Sequence, residues 1–268
     1  MIKIAFTLLA LLTFQNQSAL AQKNLELRSV VIMTKNFVAG FSSEAAAKKA
    51  VLAQNSALNE SFARQAIPLS NKLVAFEVED IGPTDGTPQN IATEFEGDDH
   101  HMVDANPEIA KISTHRLAHK ADIVIVMTKF DSPFFKADQN YGVCAAFQPA
   151  LRQDSTKHHL DSDPSLIIVD YLGLQTLTYL HEFGHAIGLD HHEYAKLDSS
   201  SATLMIANGN PQKLKRAAYW SDKNFKVKGK ALQPTEGIDD VTQIRENLGR
   251  LQNRFKRWSE LKSAVNQN

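Results

Sequence analysis

The sequence predicts an α/β fold, α+β in its less regular second half, with a mostly parallel sheet and helices packed on it. Three observations predict it. Short β-branched, apolar stretches recur along the first two thirds of the chain, each bounded by helical or polar sequence. Between the first two lies Glu44–Ala63, where Val51, Leu58 and Phe62 fall on one helical face. Near the end, Val241, Ile244, Leu248, Leu251 and Phe255 repeat every three or four residues as one apolar stripe.

The first strand is expected over 29–34, Ser-Val-Val-Ile-Met-Thr, whose apolar run suits burial on both faces. Ser42 or Ser43 then offers a side-chain oxygen to cap the Glu44 helix, with Glu44 in its first turn. Lys72–Glu79 reads as the second strand, and 81–107, rich in Gly, Pro, Asp and Asn, as a long surface loop. Ala121–Met127 is the most strongly patterned strand and is placed centrally. Tyr141–Phe147 is a weakly patterned strand suited to an edge; 153–164 is polar loop, and Ser165–Tyr171 is another apolar strand. A helix is expected from near Gly173 to Gly188, followed by irregular chain until Asp239 and Asp240 cap the striped final helix.

Composition bounds the function. At 268 residues and 43% hydrophobic content the chain can bury a sizeable core. Residues 1–21 read as a secretory signal: Lys3 is the positive n-region, Ile4 to Leu12 the apolar core, and Ala19-Leu20-Ala21 the cleavage site. The apolar run is too short to span a bilayer. Cleavage would remove Lys3, the only charge in that segment, taking the net charge from -1 to -2. That balance indicates neither nucleic-acid nor membrane binding. Cys144 is the only cysteine, so no intramolecular disulfide is available, and no cysteine stands at the cleavage site to carry a lipid. A secreted or periplasmic address is expected.

The chemistry is concentrated in one stretch, His181-Glu182-Phe183-Gly184-His185-Ala186-Ile187-Gly188-Leu189-Asp190-His191. Four residues apart on a helix, His181 and His185 leave the same face one turn apart and can share a metal ion. Glu182 follows the first histidine, where its carboxylate serves as a base without ligating the metal. Gly188 is suited to a positive-φ turn, which brings His191 back as a third ligand from outside the helix. Three protein ligands with one open position are the catalytic rather than the closed structural arrangement of zinc. A His-Glu-x-x-His pair alone is a weak signal; the added glycine and third histidine make it specific.

At these residues the chain resembles a metzincin metallopeptidase, whose zinc signature is this extended motif. The resemblance implies a methionine turn beneath the ligands, and Met205 in Thr203-Leu204-Met205-Ile206 stands at a suitable distance after His191. Within that clan the chain is most similar to reprolysin-like (adamalysin-like) bacterial peptidases. The similar segments are 53–59, 120–126, 141–145, and Tyr219-Trp220-Ser221 with Gly237-Ile238-Asp239-Asp240. It departs from the adamalysin-type pattern at His192, where those enzymes carry aspartate. Ala207 replaces the tyrosine that astacin-like and serralysin-like enzymes use as an extra ligand. The resemblance implies a metzincin-like fold: a twisted, mostly parallel sheet with an antiparallel edge strand, an active-site helix, and a smaller irregular C-terminal lobe ending in a helix. After the signal at 1–21, the expected division is 22–188 for the N-terminal subdomain and 189–268 for the C-terminal one. Little sequence separates Ala21 from the first strand, so no inhibitory pro-domain is expected.

The expected function is that of an exported zinc endopeptidase binding one catalytic Zn2+ through His181, His185 and His191. Zinc brings the pKa of bound water toward about 7, and Glu182 moves protons as general base and acid. The partner is a peptide or protein substrate, and the protein is expected to be a monomer that engages neither nucleic acid nor membrane. By the resemblance, substrate would lie extended along Tyr141–Phe147, with 206–208 as a specificity wall. The alternative is a binding or narrowly specific processing protein on the same scaffold; the intact Glu182 favours the enzyme. Asp98-Asp99-His100-His101 through Asp104, and His158 to Asp163, read as solvated loop rather than second metal sites. His115, His119 and His192 read as surface residues or supports of the site, and Cys144 as a small hydrophobe.

Overall fold

A computed structural model describes residues 24–79, 114–129, 165–191, 194–206, 214–234 and 237–265, the last thirteen of these (253–265) as backbone. Strand β1 (Leu25–Met33) leads through the short helix α1 (Lys35–Ala39) into α2 (Glu44–Arg64) and back to β2 (Leu69–Val78). A helical segment at 114–118 precedes β3 (Ile123–Thr128), and β4 (Ser165–Asp170) runs into a 3-10 turn at Tyr171–Gln175. Helix α3 (Thr178–Ala186) follows. Beyond it come the two-residue strands β5 (Ser201–Ala202) and β6 (Lys215–Arg216), the hairpin β7 (Asp222–Val227) and β8 (Lys230–Leu232), and helix α4 (Asp240–Val265).

The four long strands form one sheet in the order β2-β1-β3-β4, every pair parallel. The α/β class with a mostly parallel sheet therefore holds. In register, Val31 lies beside Ile125 and Ile125 beside Ile167. Alternation then sorts the side chains onto two faces. Val31, Met33, Ile123, Ile125, Met127, Ile167 and Val169 join the main core. Val30, Ile32, Val124, Val126, Leu166 and Ile168 form a second cluster on the opposite face. Burial on both faces is why these strands are apolar at consecutive positions.

Helix α2 covers the main-core face. Ser43 caps it, its Oγ accepting from the Ala46 N–H at 3.1 Å, and Val51, Leu58 and Phe62 are all fully buried. A polar network beneath it ties α2, strands β1 and β2 and helix α3 together. The Asn71 amide donates to Asn55 Oδ1 at 2.8 Å, Ser29 Oγ donates to Asn71 Oδ1 at 2.7 Å, and the Tyr179 hydroxyl of α3 donates to Asn55 Oδ1 at 3.2 Å. Burial pushes the Tyr179 phenol up, outweighing the side-chain hydrogen bond with Asn71 that acts the other way.

Several boundaries differ from expectation. β1 starts four residues early and β2 three, because Leu25 and Leu69 are already paired. Helix α3 starts at Thr178, not near Gly173: Asp170 Oδ1 caps the 3-10 turn by accepting from the Leu172 N–H at 2.9 Å, and Leu177 at φ 57 separates turn from helix. Helix α4 begins as expected, with the Thr242 N–H donating to Asp239 Oδ1 at 2.9 Å and Val241, Ile244, Leu248 and Leu251 buried. The signal at 1–21, the loop at 81–107, the Tyr141–Phe147 strand with Cys144, both loop clusters (98–104 and 158–163), His192 and Ala207 lie outside the described residues, as does the Phe255 side chain. Among the described residues no helix is long and apolar enough to cross a membrane.

Candidate metal centre

Helix α3 spans nine residues, too few to be stable alone, so tertiary contacts must hold it. At its start, Thr178 Oγ1 accepts from Arg216 Nη1 at 3.0 Å. Midway it carries Gly184, where a Cβ would come 2.5 Å from Met205 Sδ and 2.9 Å from Trp220 Cζ3. The glycine therefore lets the helix settle directly onto Met205, which is fully buried. At its end, Gly188 has φ 100; the Leu189 N–H donates to Gly184 O at 3.0 Å and the Gly188 N–H to His185 O at 2.9 Å. That pair of bonds is a Schellman motif, which reverses the chain after the helix. Helix α4 fastens the turn, Gln243 Nε2 donating to Gly188 O at 2.7 Å and Asn247 Nδ2 to Ile187 O at 3.3 Å.

The reversed chain returns His191 to the two helical histidines. Their Nε2 atoms form a near-equilateral triangle: 3.2 Å between His181 and His185, 3.1 Å between His181 and His191, and 3.0 Å between His185 and His191. The opposite ring nitrogens explain what those atoms are. His181 Nδ1 lies 2.6 Å from Leu204 O and His185 Nδ1 2.8 Å from Leu189 O. A carbonyl only accepts, so each Nδ1 carries the proton and each Nε2 presents a bare lone pair. Burial, reinforced by the Arg216 charge, holds His181 well below the usual histidine range; burial, with the charge of His191 next, pushes His185 down to about 4. Both rings are neutral at neutral pH. The bare lone pairs of His181 and His185 repel at this range unless a proton or a cation lies between them. A tetrahedral site with bonds of about 2.0–2.1 Å spaces neighbouring ligand atoms by roughly 3.3 Å, so the donor set fits a metal ion.

Glu182 is buried beside the triangle, its Oε1 3.6 Å from His181 Nε2. Met205 lies under Gly184, against the helix that carries two of the histidines. Its turn is clamped on both sides: the Thr203 N–H donates to Ala195 O at 2.8 Å, the Leu204 N–H to Tyr219 O at 2.8 Å, and Arg216 Nε to Ile206 O at 3.3 Å. Sequence reasoning missed Arg216 and the Leu204 carbonyl, and it singled out Trp220 only within a resembling segment, because their contacts join distant positions. It also left Gly184 unread; a helix former displaced by glycine inside a ligand motif was the available signal.

No protein-family model matches the chain, and no curated relative does. Among solved structures, a chain in a structure of a chaperone-substrate complex aligns with a TM-score of 0.58 at 13% identity, covering 87% of this chain and 35% of that one. Metalloproteinase-II from Bacteroides fragilis aligns with a TM-score of 0.38 at 13% identity, covering 72% of this chain and 49% of that one. The first likeness bears on the fold alone, and the second is too slight to carry an argument. This chain spans about a third of the first and about half of the second.

Proposed function

We propose that the chain is a zinc-dependent peptidase of the metzincin type, acting on a peptide or protein substrate. The observation that carries the reading is the triangle of imidazole Nε2 atoms, two of them fixed as bare lone pairs by carbonyls behind the rings. His181, His185 and His191 would hold the ion. Two imidazoles from one helix and one from the returning chain match zinc's preference for nitrogen donors in a tetrahedral shell. When bound, zinc supplies Lewis acidity toward a water and a scissile carbonyl.

The chain's own residues do the rest. Glu182 accepts the proton lost by the attacking water and delivers it to the leaving amine. Its position next to His181 and its burial keep the carboxylate at the reacting centre and out of bulk solvent. Leu204 O and Leu189 O fix the tautomers that leave Nε2 free to ligate. Met205 serves as a hydrophobic floor and not as a ligand. Export through the 1–21 segment, a monomeric state and a division into lobes near Gly188 belong to the same proposal.

The test is Glu182→Ala, assayed for zinc content and for cleavage of casein beside the parent. The variant should keep the ion and the fold and lose activity by at least about 10²-fold, the lower end for deleting a general base. A parent that binds zinc but cleaves neither casein nor a random peptide library would overturn the peptidase reading. A Glu182→Ala protein that loses its zinc would overturn the assignment of that residue.

A further inference from the structure

Outside the histidine triangle, two histidines and two glutamates converge on the far edge of the sheet. Glu77 lies on β2 and Glu79 one residue past its end, its N–H still donating to Met33 O at 3.1 Å, so the two side chains leave the same side. His115 and His119 are four apart at the helical segment 114–118, one turn from each other. His115 Nε2 lies 2.5 Å from Glu79 Oε2, and His119 Nε2 lies 2.7 Å from Glu77 Oε1. Ligand atoms of Glu77, His115 and His119 all fall within 4.8 Å of one another. We propose that Glu77, His115 and His119, with Glu79 held against His115, form a second metal site that takes a zinc-class divalent ion and clips the 114–118 segment to strand β2.

Four features carry the assignment beyond two separate ion pairs. Both imidazoles turn Nε2 toward the glutamate carboxylates, and ligand atoms of Glu77, His115 and His119 gather in one cluster instead of two separate pairs. The two carboxylates bring two negative charges to the cluster, which one dication cancels. The side chains are 22–37% exposed, open enough for an ion to enter yet screened enough to strengthen its binding. The segment is also held in place without the ion. Arg28 Nε donates to Lys120 O at 3.1 Å and Arg28 Nη2 to His119 O at 3.5 Å, while the Arg28 N–H donates to Asp122 Oδ2 at 2.8 Å. His119 is thus presented to Glu77 on a fastened backbone.

The donor set also selects the ion. Two imidazoles with a carboxylate suit zinc, cobalt or nickel, whereas calcium and magnesium take all-oxygen shells. Bound there, the ion would bridge strand β2 and the 114–118 segment. Its effect would be on stability: it ties positions 36 and 42 residues apart, and closing a long loop removes entropy from the unfolded chain.

The experiment measures zinc and cobalt stoichiometry on the full chain by equilibrium dialysis and elemental analysis. The parent should bind about two equivalents. A His181→Ala/His185→Ala protein should keep about one, with tetrahedral cobalt absorption, and should not exchange it for calcium. In that background Glu77→Gln, which preserves shape, should weaken zinc binding by at least about tenfold, the lower end for losing even a ligand's supporting partner. His115→Ala/His119→Ala in the parent should leave about one equivalent. Should that double variant fail to fold by circular dichroism, the Glu77→Gln arm still decides. A triangle-deficient protein that binds no zinc, or a Glu77→Gln protein that binds it as tightly as its background, overturns the proposal and leaves two ion pairs. Neither outcome touches the peptidase reading, which stands or falls on casein cleavage.

Discussion

Gly184→Ala puts one methyl where the structure has none to spare. The added Cβ would meet Met205 Sδ at 2.5 Å, Trp220 Cζ3 at 2.9 Å and Met205 Cε at 3.3 Å. Ordinary contact needs about 3.5–4.0 Å, so something must move by roughly 1 Å. Trp220 cannot. Its ring stacks on Phe62 at 5.5 Å and 6°, its Nε1 donates to Ser61 Oγ at 3.0 Å, and its backbone exchanges two hydrogen bonds with Gln65 at 2.8 and 2.9 Å. Met205 is fully buried, so its thioether has no solvent to swing into. Overpacking of this kind costs about 1–3 kcal/mol. Against it stands the helix-propensity gain of alanine over glycine, about 0.5–1 kcal/mol.

The net expectation is a loss of about 1–2 kcal/mol, read as a lower denaturant midpoint at unchanged slope. Zinc affinity should fall with it, because α3 carries two of the histidines and would be pushed away from the floor while His191 arrives from beyond the turn. Gly249 supplies the control. It also lies within a helix, but a Cβ there meets nothing within 4 Å. Gly249→Ala should therefore stabilise, by about 0.5–1 kcal/mol. The two substitutions are chemically identical and should have opposite signs. If Gly184→Ala proves as stabilising as Gly249→Ala, propensity has won and the close-packing argument is wrong.

Gly188→Val should weaken zinc binding without touching a ligand, since a β-branched residue at φ 100 breaks the turn that returns His191; equal zinc affinity in a folded variant would contradict this. Met205→Leu, close in volume, should cost less than about 1.5 kcal/mol and keep the metal; a protein stripped of zinc by that change would mean the sulfur is a ligand. The metal-free protein should lose stability as pH falls from 6.5 toward 4. The unfolded chain protonates His185 near 6.5 while the folded protein resists to about 4, so unfolding takes up a proton throughout that window. Calorimetry on chelated protein and on His185→Ala isolates the contribution, and an identical pH slope in the two would refute it.

How much of this was legible in the sequence depends on where each constraint acts. Strands β3 and β4 were readable because burial on both faces leaves an unbroken apolar run in each, 123–127 and 166–169, and helix α2 because its cap and buried face are local. The histidine motif was readable because its donors sit at fixed spacing on one short stretch. The hairpin β7–β8 was not: its turn is Lys228 at φ 50 and Gly229 at φ 81, and lysine is not the asparagine or aspartate that usually announces such a turn. Helix α1 was missed because five residues are too few to show a period; its evidence is the Thr34 cap, with Oγ1 accepting from the Phe37 N–H at 3.2 Å. The Glu77–His119 and Glu79–His115 pairings were invisible because the parallel sheet, not the local chain, brings them together.

The same distinction bears on what orders the histidine site. A nine-residue helix has no independent stability, and a metal could in principle supply the missing free energy by binding and folding together. The contacts argue for the reverse order. Tyr179 anchors the start of α3 to Asn55 within a buried polar network, and its own hydroxyl loses that partner if the helix leaves. Gly184 seats its middle on Met205 and Trp220, and Gln243 and Asn247 hold the carbonyls of its closing turn. The two carbonyls behind His181 and His185 belong to Leu204 and Leu189, so each ring is aimed by backbone already fixed elsewhere. Folding thus brings three imidazole nitrogens together, two of them fixed as bare lone pairs, before any ion arrives, and a site preformed in this way spends none of its binding free energy on ordering the ligands.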